Sequence, residues 1–185
     1  DLVQPKREGY TFEGWSGTDI NGKDTQVTVT ARPLKDRTYT ANWKENSYTI
    51  VFNVEGEVTR GEMKNIPLRY TQETTIPKNG YVCGGYKFVG WRTGGKKSEQ
   101  KVYQPGDKVS RLCATNNGTV NLYPIWEPCE YTITFDYQTG NKREKVTCKY
   151  KETYTFPTVN RLGWTFEGWS RSAGSTNVIS YAPNV

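Results

Sequence analysis

The segment GYTFEGW (Gly9 to Trp15) returns as GYKFVGW (Gly85 to Trp91) and again as GWTFEGW (Gly163 to Trp169). The Trp-to-Trp offsets are 76 and 78 residues. Two further markers recur in the same order. YTANW (Tyr39 to Trp43) returns as LYPIW (Leu122 to Trp126), and YTIVFN (Tyr48 to Asn53) returns as YTITFD (Tyr131 to Asp136), each offset by 83 residues. Ordered markers at a common period are the signature of a repeat array, in which each unit is one small supersecondary block. One large core drawn from the whole chain is thereby excluded.

The period divides the chain into residues 1–45 (the C-terminal half of a repeat), 46–127 (a complete repeat) and 128–185 (the N-terminal two-thirds of a third). YAPNV at Tyr181 echoes YQPGDKV at Tyr103, and no third closing YxxxW segment follows. Each marker reads as a strand. In YTITFD, Tyr131, Ile133 and Phe135 alternate with polar residues, the period of a half-buried strand. Gln138 to Asn141 reads as a turn returning into a second strand from Lys145. In GYTFEGW, strict alternation places Tyr10 and Phe12 opposite Thr11 and Trp15, while the recurring glycine suggests a bulge or close backbone approach. Residues between Trp91 and Asn121 are polar and Gly-rich and read as a long loop with one helical turn. Aromatics make up 14% of the chain against six Leu and five Ala. That composition suits mostly β structure with little helix. No apolar run approaches the ~20 residues of a membrane span.

The order YTITFD, turn, VTCKYKETYTFP, GWTFEGW, YxP, LYPIW resembles the Listeria–Bacteroides repeat, the same family as the internalin B-repeat. The resemblance implies tandem small β-grasp-like modules, similar to those that form stalks and adhesive spacers on bacterial surface proteins, with no catalytic residues. In that reading the first and last strands of a unit lie side by side and parallel. The central unit departs from the usual Asn-Gly-Gly turn with Val54-Glu55-Gly56-Glu57, and the four cysteines are unusual for such repeats.

Little in the chain carries chemistry. There is no His, which excludes Ser-His-Asp and Cys-His catalysis and His-ligated metals. Glu13 and Glu167 share a motif position that is Val89 in the complete unit, so they read as a solvated strand face. Cys83, Cys113, Cys129 and Cys148 allow three pairings if all are oxidised. Spacing about the hairpin turn favours 129–148, leaving 83–113; four structural thiols are the alternative. The spacings lack the short pairs that a metal site built from four cysteines requires. No cofactor is implied. Asn117-Gly118-Thr119 is a glycosylation sequon in a host with that machinery, and otherwise a turn.

The net charge of +6 is concentrated in the central unit, where residues 46–128 carry 11 basic and 7 acidic residues. Arg92, Lys96, Lys97, Lys101, Lys108 and Arg111 fall within one loop. They suit an anionic glycan, a cell-wall polymer or a host surface protein, or simply a solubilising surface. Base stacking requires exposed aromatics between the cations; the aromatics here sit at repeated motif positions, which suit core and inter-unit packing, so no specific nucleic acid is expected. The sequence thus points to an extracellular, cell-surface structural or adhesive segment of a larger protein, a semi-rigid rod rather than an enzyme. The alternative is a glycan- or polyanion-binding module that uses the basic loop.

Overall fold

The first GYTFEGW motif forms β1 (Tyr10–Gly17), which pairs antiparallel with β2 (Ile20–Asp24) and β3 (Tyr39–Glu45) in a sheet of order β2-β1-β3. The register slips between Phe12 and Gly14: Phe12 faces Trp43, whereas Trp15 faces Ala41. The extra residue resets the alternation. Phe12 and Trp15 therefore meet edge to face at 5.5 Å instead of pointing to opposite faces, which corrects strict alternation and bears out the bulge. Glycine is required at the slip. Gly14 has φ +124°, and a Cβ there would lie 2.9 Å from the Asp24 backbone.

These are features of a computed structural model that describes residues 1–30, 35–140, 142–175 and 177–180. The chain divides into two compact units, Asp1–Glu127 and Pro128–Val185. Among the described residues the structure is mostly strand, with one 3-10 turn at Lys97–Glu99 and no longer helix.

The rest of the first unit contains β4 (Ser47–Phe52), β5 (Val58–Arg60), β6 (Ile66–Arg69), β7 (Thr74–Thr75), β8 (Val82–Cys83), β9 (Tyr86–Thr93), β10 (Val102–Tyr103), β11 (Lys108–Val109) and β12 (Gly118–Pro128). Five of these form a sheet of order β10-β9-β12-β4-β6, and β5–β8 and β7–β11 are two-stranded ribbons. The β4 and β12 strands, first and last of the repeat, run parallel from Gly118↔Tyr48 to Leu122↔Phe52, as the resemblance implies. The segment between Trp91 and Asn121, expected to be a loop, holds β10 and β11 as well as the 3-10 turn.

Alternation in β4 sends Tyr48, Ile50 and Phe52 into the core, where they meet Leu68, Trp91 and Leu122. Ile76, Tyr81 and Val109 close the core from the connecting segments, and the Tyr81 hydroxyl donates to the Phe52 carbonyl at 2.8 Å. Trp91 is wholly buried. Trp126 is half-buried. It lies four residues past the last parallel pair of β12 with β4, and packs at the margin of the core against Phe88.

The second unit contains β13 (Glu130–Asp136), β14 (Arg143–Lys149), β15 (Trp169–Ser170) and β16 (Val178–Ser180). The β13–β14 hairpin runs from Glu130↔Lys149 to Asp136↔Arg143. Its core gathers at Phe135, whose ring lies 4.8 Å from Trp169 and 5.2 Å from Phe156. The third motif, expected to be a strand, enters one only at Trp169. In the other two copies the motif lies beside its closing strand, β3 or β12. Among the described residues the third motif has no such neighbour, and β15 pairs with β16. The echo at Tyr181 lies outside the described residues, as does Asn141 of the expected turn.

Candidate functional site: a basic segment and a repeat junction

The six cations of the central unit do not form one free cluster. The Arg92 guanidinium bonds both carboxylate oxygens of Glu55, at 2.6 and 2.5 Å, and lies 5.2 Å over the Tyr123 ring. Lys108 pairs with Glu73 at 3.2 Å. Arg111 adopts φ 55° and donates its backbone N–H to the Tyr70 carbonyl. Lys96 and Lys97 flank and begin the 3-10 turn, and Lys101 is tied back by two hydrogen bonds with Thr93. The side chains of Lys96, Lys97 and Lys101 are exposed. An open groove lies beside the segment, lined by Thr93, Leu112, Cys113, Thr119, Asn121 and Tyr123 among others. Glu13 pairs with Lys23 at 2.5 Å, which holds its carboxyl below the ordinary range.

All four cysteines are free thiols in the structure, so neither expected disulfide is formed. The hairpin register explains why 129 and 148 do not oppose each other. Cys148 pairs with Tyr131, and the Cys129 carbonyl accepts from the Tyr150 N–H. The turn is centred one residue later than sequence symmetry suggests, which sets the two thiols diagonally, at a Cα separation of roughly 7–8 Å. That exceeds the reach of a disulfide. Cys83 is buried on β8 against β5, and Cys113 is half-buried with its Sγ against Gly118. Short exposure of the native protein to a maleimide should therefore label Cys113 and Cys129 well ahead of Cys83 and Cys148. Mass spectrometry of the digest reads the order, and an unreduced 129–148 peptide would contradict this register. Among the described residues, no group of three or more Cys, Asp or Glu side chains is placed to hold a metal ion.

The most elaborated polar site lies where one repeat hands over to the next. The β3 strand ends at Glu45 and β4 begins at Ser47, leaving a single residue, Asn46, which is 7% exposed. Every polar group of Asn46 is used. Its backbone N–H donates to Gly9 O (2.9 Å), and its carbonyl accepts from Tyr70 N–H (2.8 Å). Its Oδ1 accepts from the Thr11 hydroxyl at 2.5 Å, and its Nδ2 donates to Ala114 O at 2.7 Å. One amide thus ties the partial repeat, through Gly9 and Thr11, to the complete repeat, through Tyr70 and Ala114.

Neighbours reinforce the tie. The Glu45 carboxylate accepts from the Thr71 N–H (2.8 Å) and hydroxyl, and those bonds hold its carboxyl below the usual range. Ser47 is bonded by the side chains of Asn116 and Asn117. The buried Tyr70 ring packs against Gly9, where any Cβ would overlap it, and edge-on to Tyr10. The signal available in the sequence was the equivalence of Tyr70 with Tyr150 across the repeat. Tyr150 makes the matching bond to Cys129, which occupies the position of Asn46.

The chain is similar to a protein named as a membrane protein from Evansella cellulosilytica, 25% identical over 184 residues, which are 98% of this chain and 26% of that protein. It is 33% identical over 96 residues to Internalin H of Listeria monocytogenes, covering 50% of this chain and 16% of that protein. A protein named as a Gly-rich membrane protein of E. cellulosilytica is 24% identical over 168 residues, 90% of this chain and 18% of the relative. The chain therefore spans about a quarter or less of these relatives. Among the described residues, no helix is long and apolar enough to cross a membrane. No solved structure matches the chain. The divergent InlB B-repeat domain matches residues 5–47, and the Listeria–Bacteroides repeat domain matches residues 48–123 and 131–185. By that coverage, and by the recurring aromatic framework, the chain belongs to the Listeria–Bacteroides repeat family.

Proposed function

We propose that the chain is a non-catalytic stalk or spacer segment of an extracellular surface protein, in which successive repeats are joined stiffly enough to present whatever domain lies beyond them. The observation that carries this reading is the junction at Asn46. A flexible tether is built from solvated residues, whereas here the connecting residue is buried and bonded on both sides. The use of aromatics agrees with it. Trp91 and Tyr48, which a binding face would expose, are spent on the core. Hydrogen exchange on the full chain tests the coupling. Slow amides of β1 and β3 should exchange at rates within a few-fold of those in β4 and β12, as expected of one cooperative unit. Exchange of β1 and β3 a hundredfold faster would reduce residues 1–45 to a loosely tethered appendage and end the spacer reading.

The groove beside the basic segment favours a second reading, an anionic glycan or cell-wall polymer held by Lys96, Lys97 and Lys101 over the polar rim of Thr93, Thr119 and Asn121. Exposed charges act over about 8 Å at physiological ionic strength, so such binding is salt-sensitive. Retention of the protein on a heparin column at low salt should fall to that of a neutral control in Lys96→Glu/Lys97→Glu. Equal retention of parent and variant would leave the segment as a solubilising surface.

A further inference from the structure

Two open grooves adjoin on the complete repeat. One is lined by Ser47, Thr49, Arg69, Gln72 and Asn117 among others, and the other is the groove beside the basic segment, with Thr119, Asn121 and Tyr123. They meet where Thr49 pairs with Thr119 in the β4–β12 ladder. The strand side chains among them lie on the face of the five-stranded sheet that the core does not use. Tyr48, Ile50 and Phe52 point inward from β4, as Leu68 does from β6 and Leu122 from β12. Alternation then sends Ser47, Thr49, Arg69, Thr119 and Asn121 outward. Arg69, Thr119 and Asn121 are exposed there.

The lining is rich in hydrogen-bond donors and poor in acceptors. Gln72 Oε1 accepts from the Arg69 N–H at 3.2 Å, Asn117 Oδ1 from the Ser47 hydroxyl at 3.1 Å, and Asn121 Oδ1 from Asn53 Nδ2 at 3.1 Å. Each of those bonds fixes which way its amide is turned. The three NH2 groups are left with no acceptor among the described residues. No carboxylate lines either groove. Arg69, unlike Arg92 and Lys108, is not spent on an ion pair among the described residues. Glu45, the carboxylate whose charge Arg69 favours, is already bound by the Thr71 N–H and hydroxyl. At the other end, Lys96 and Lys97 follow directly on Gly94 and Gly95, which line the second groove.

We propose that the two grooves are one continuous site for an acidic polysaccharide, laid across β9, β12, β4 and β6 with the Lys96–Lys97 segment at one end and Arg69 at the other. The proposal rests on the second reading above, which places an anionic glycan beside the basic segment, and extends it across the sheet. Surplus NH2 groups call for an occupant rich in oxygen acceptors, and the ether, ring and hydroxyl oxygens of sugars supply them. The Thr49 and Thr119 hydroxyls both donate and accept, as sugar hydroxyls do. A carboxylate or sulfate matches the fork of the Arg69 guanidinium. From β6 to β9 the path crosses three strand spacings, about 14 Å, which suits a chain of sugars and not a single one.

Calorimetric titration of the full 185-residue chain with a heparin-derived oligosaccharide at low salt makes the test. Asn121→Asp and Gln72→Glu are nearly isosteric. Each keeps the oxygen that accepts its internal bond and turns the outward NH2 into a carboxylate oxygen. Each should weaken binding at least tenfold, as should Arg69→Gln. Gln26→Glu makes the same charge change on the exposed surface of residues 1–45 and should weaken binding less than twofold. Should Gln72→Glu disturb the turn it caps, seen as a lowered thermal transition, Arg69→Gln alone tests that end of the site. Parental affinity in Arg69→Gln overturns the proposal. If Lys96→Glu/Lys97→Glu still loses binding in that case, the narrower reading of the basic segment stands without it. Failure of the parent chain to bind ends both. A loss in Gln26→Glu equal to that in Asn121→Asp would trace the binding to net charge and overturn the proposal. Inorganic polyphosphate that binds more tightly than the oligosaccharide, with the same dependence on Gln72, would assign the site to a phosphate polymer and overturn it equally.

Discussion

Trp91→Ala should lower the stability of the first unit by about 3–5 kcal/mol, the usual cost of truncating a buried tryptophan. Trp91 is 0% exposed, and its ring meets Phe52 at 4.8 Å, Phe88 at 5.1 Å and Tyr81 at 6.1 Å, all edge to face. Its Nε1 is buried with no hydrogen-bond partner among the described residues, so removing it strands no acceptor. The expected loss is therefore apolar contact and cavity alone. Domains of this size are held by about 5–15 kcal/mol, so the variant sits near the edge of folding. Trp126→Ala should cost less than half as much. Trp126 is half-buried and meets Phe88 at 5.7 Å, and its Nε1 donates to Glu55 O at 3.2 Å on the unit's margin. Urea unfolding followed by far-ultraviolet circular dichroism ranks the two. Equal losses, or a loss below about 1 kcal/mol for Trp91→Ala, would show that Trp91 is not the centre of the core.

How far the fold was legible follows from where the period-two rule holds. It holds in β4, where Tyr48, Ile50 and Phe52 are all buried. It fails in β1, because one bulged residue between Phe12 and Gly14 turns Trp15 to the side of Phe12. The glycine announced a bulge, but which side the tryptophan then takes depends on the partner strand. The same dependence explains the cysteines. A hairpin register is set by loop geometry, and one residue of error at the turn moves Cys129 two places away from opposing Cys148. The third motif carries the right residues and still forms no full strand, because a strand is defined by the neighbour that completes its hydrogen bonds. The basic segment was legible as composition only. Which cations are free is settled by Glu55 and Glu73, both distant in sequence. Asn46 had no local signature, since a single asparagine between two strands looks like any turn residue.

Asn46→Ala should uncouple the two repeats of the first unit while leaving each backbone path intact. Alanine keeps the bonds to Gly9 O and from Tyr70 N–H, because both belong to the main chain. It removes the acceptor of the Thr11 hydroxyl and the donor to Ala114 O. Thr11 is exposed and Ala114 half-buried, so water can replace part of what is lost, and at about 0.5–1.5 kcal/mol for each bond the variant should lose roughly 1–3 kcal/mol in total. The loss should not fall evenly. The complete repeat retains its five-stranded sheet and the core around Trp91. Residues 1–45 have a smaller sheet, β2-β1-β3, held to the complete repeat by the Glu45–Thr71 bonds and by the packing of Gly9 and Tyr10 against Tyr70. Amides of β1 and β3 should therefore exchange at least tenfold faster in the variant, with β4 and β12 nearly unchanged. Limited proteolysis should cut first within residues 1–45. Asn46→Asp is the sharper control, because it keeps an acceptor for Thr11 but sets a carboxylate against the Ala114 carbonyl. It should resemble Asn46→Ala at neutral pH. Its coupling should recover in part as acid protonates the new carboxyl, whose O–H can then donate to Ala114 O. If both variants leave β1, β3, β4 and β12 exchanging together as before, the side-chain amide is not what joins the repeats, and the stiffness of the junction must come from the main-chain bonds of Asn46, the Glu45–Thr71 bonds and the Tyr70–Gly9 packing.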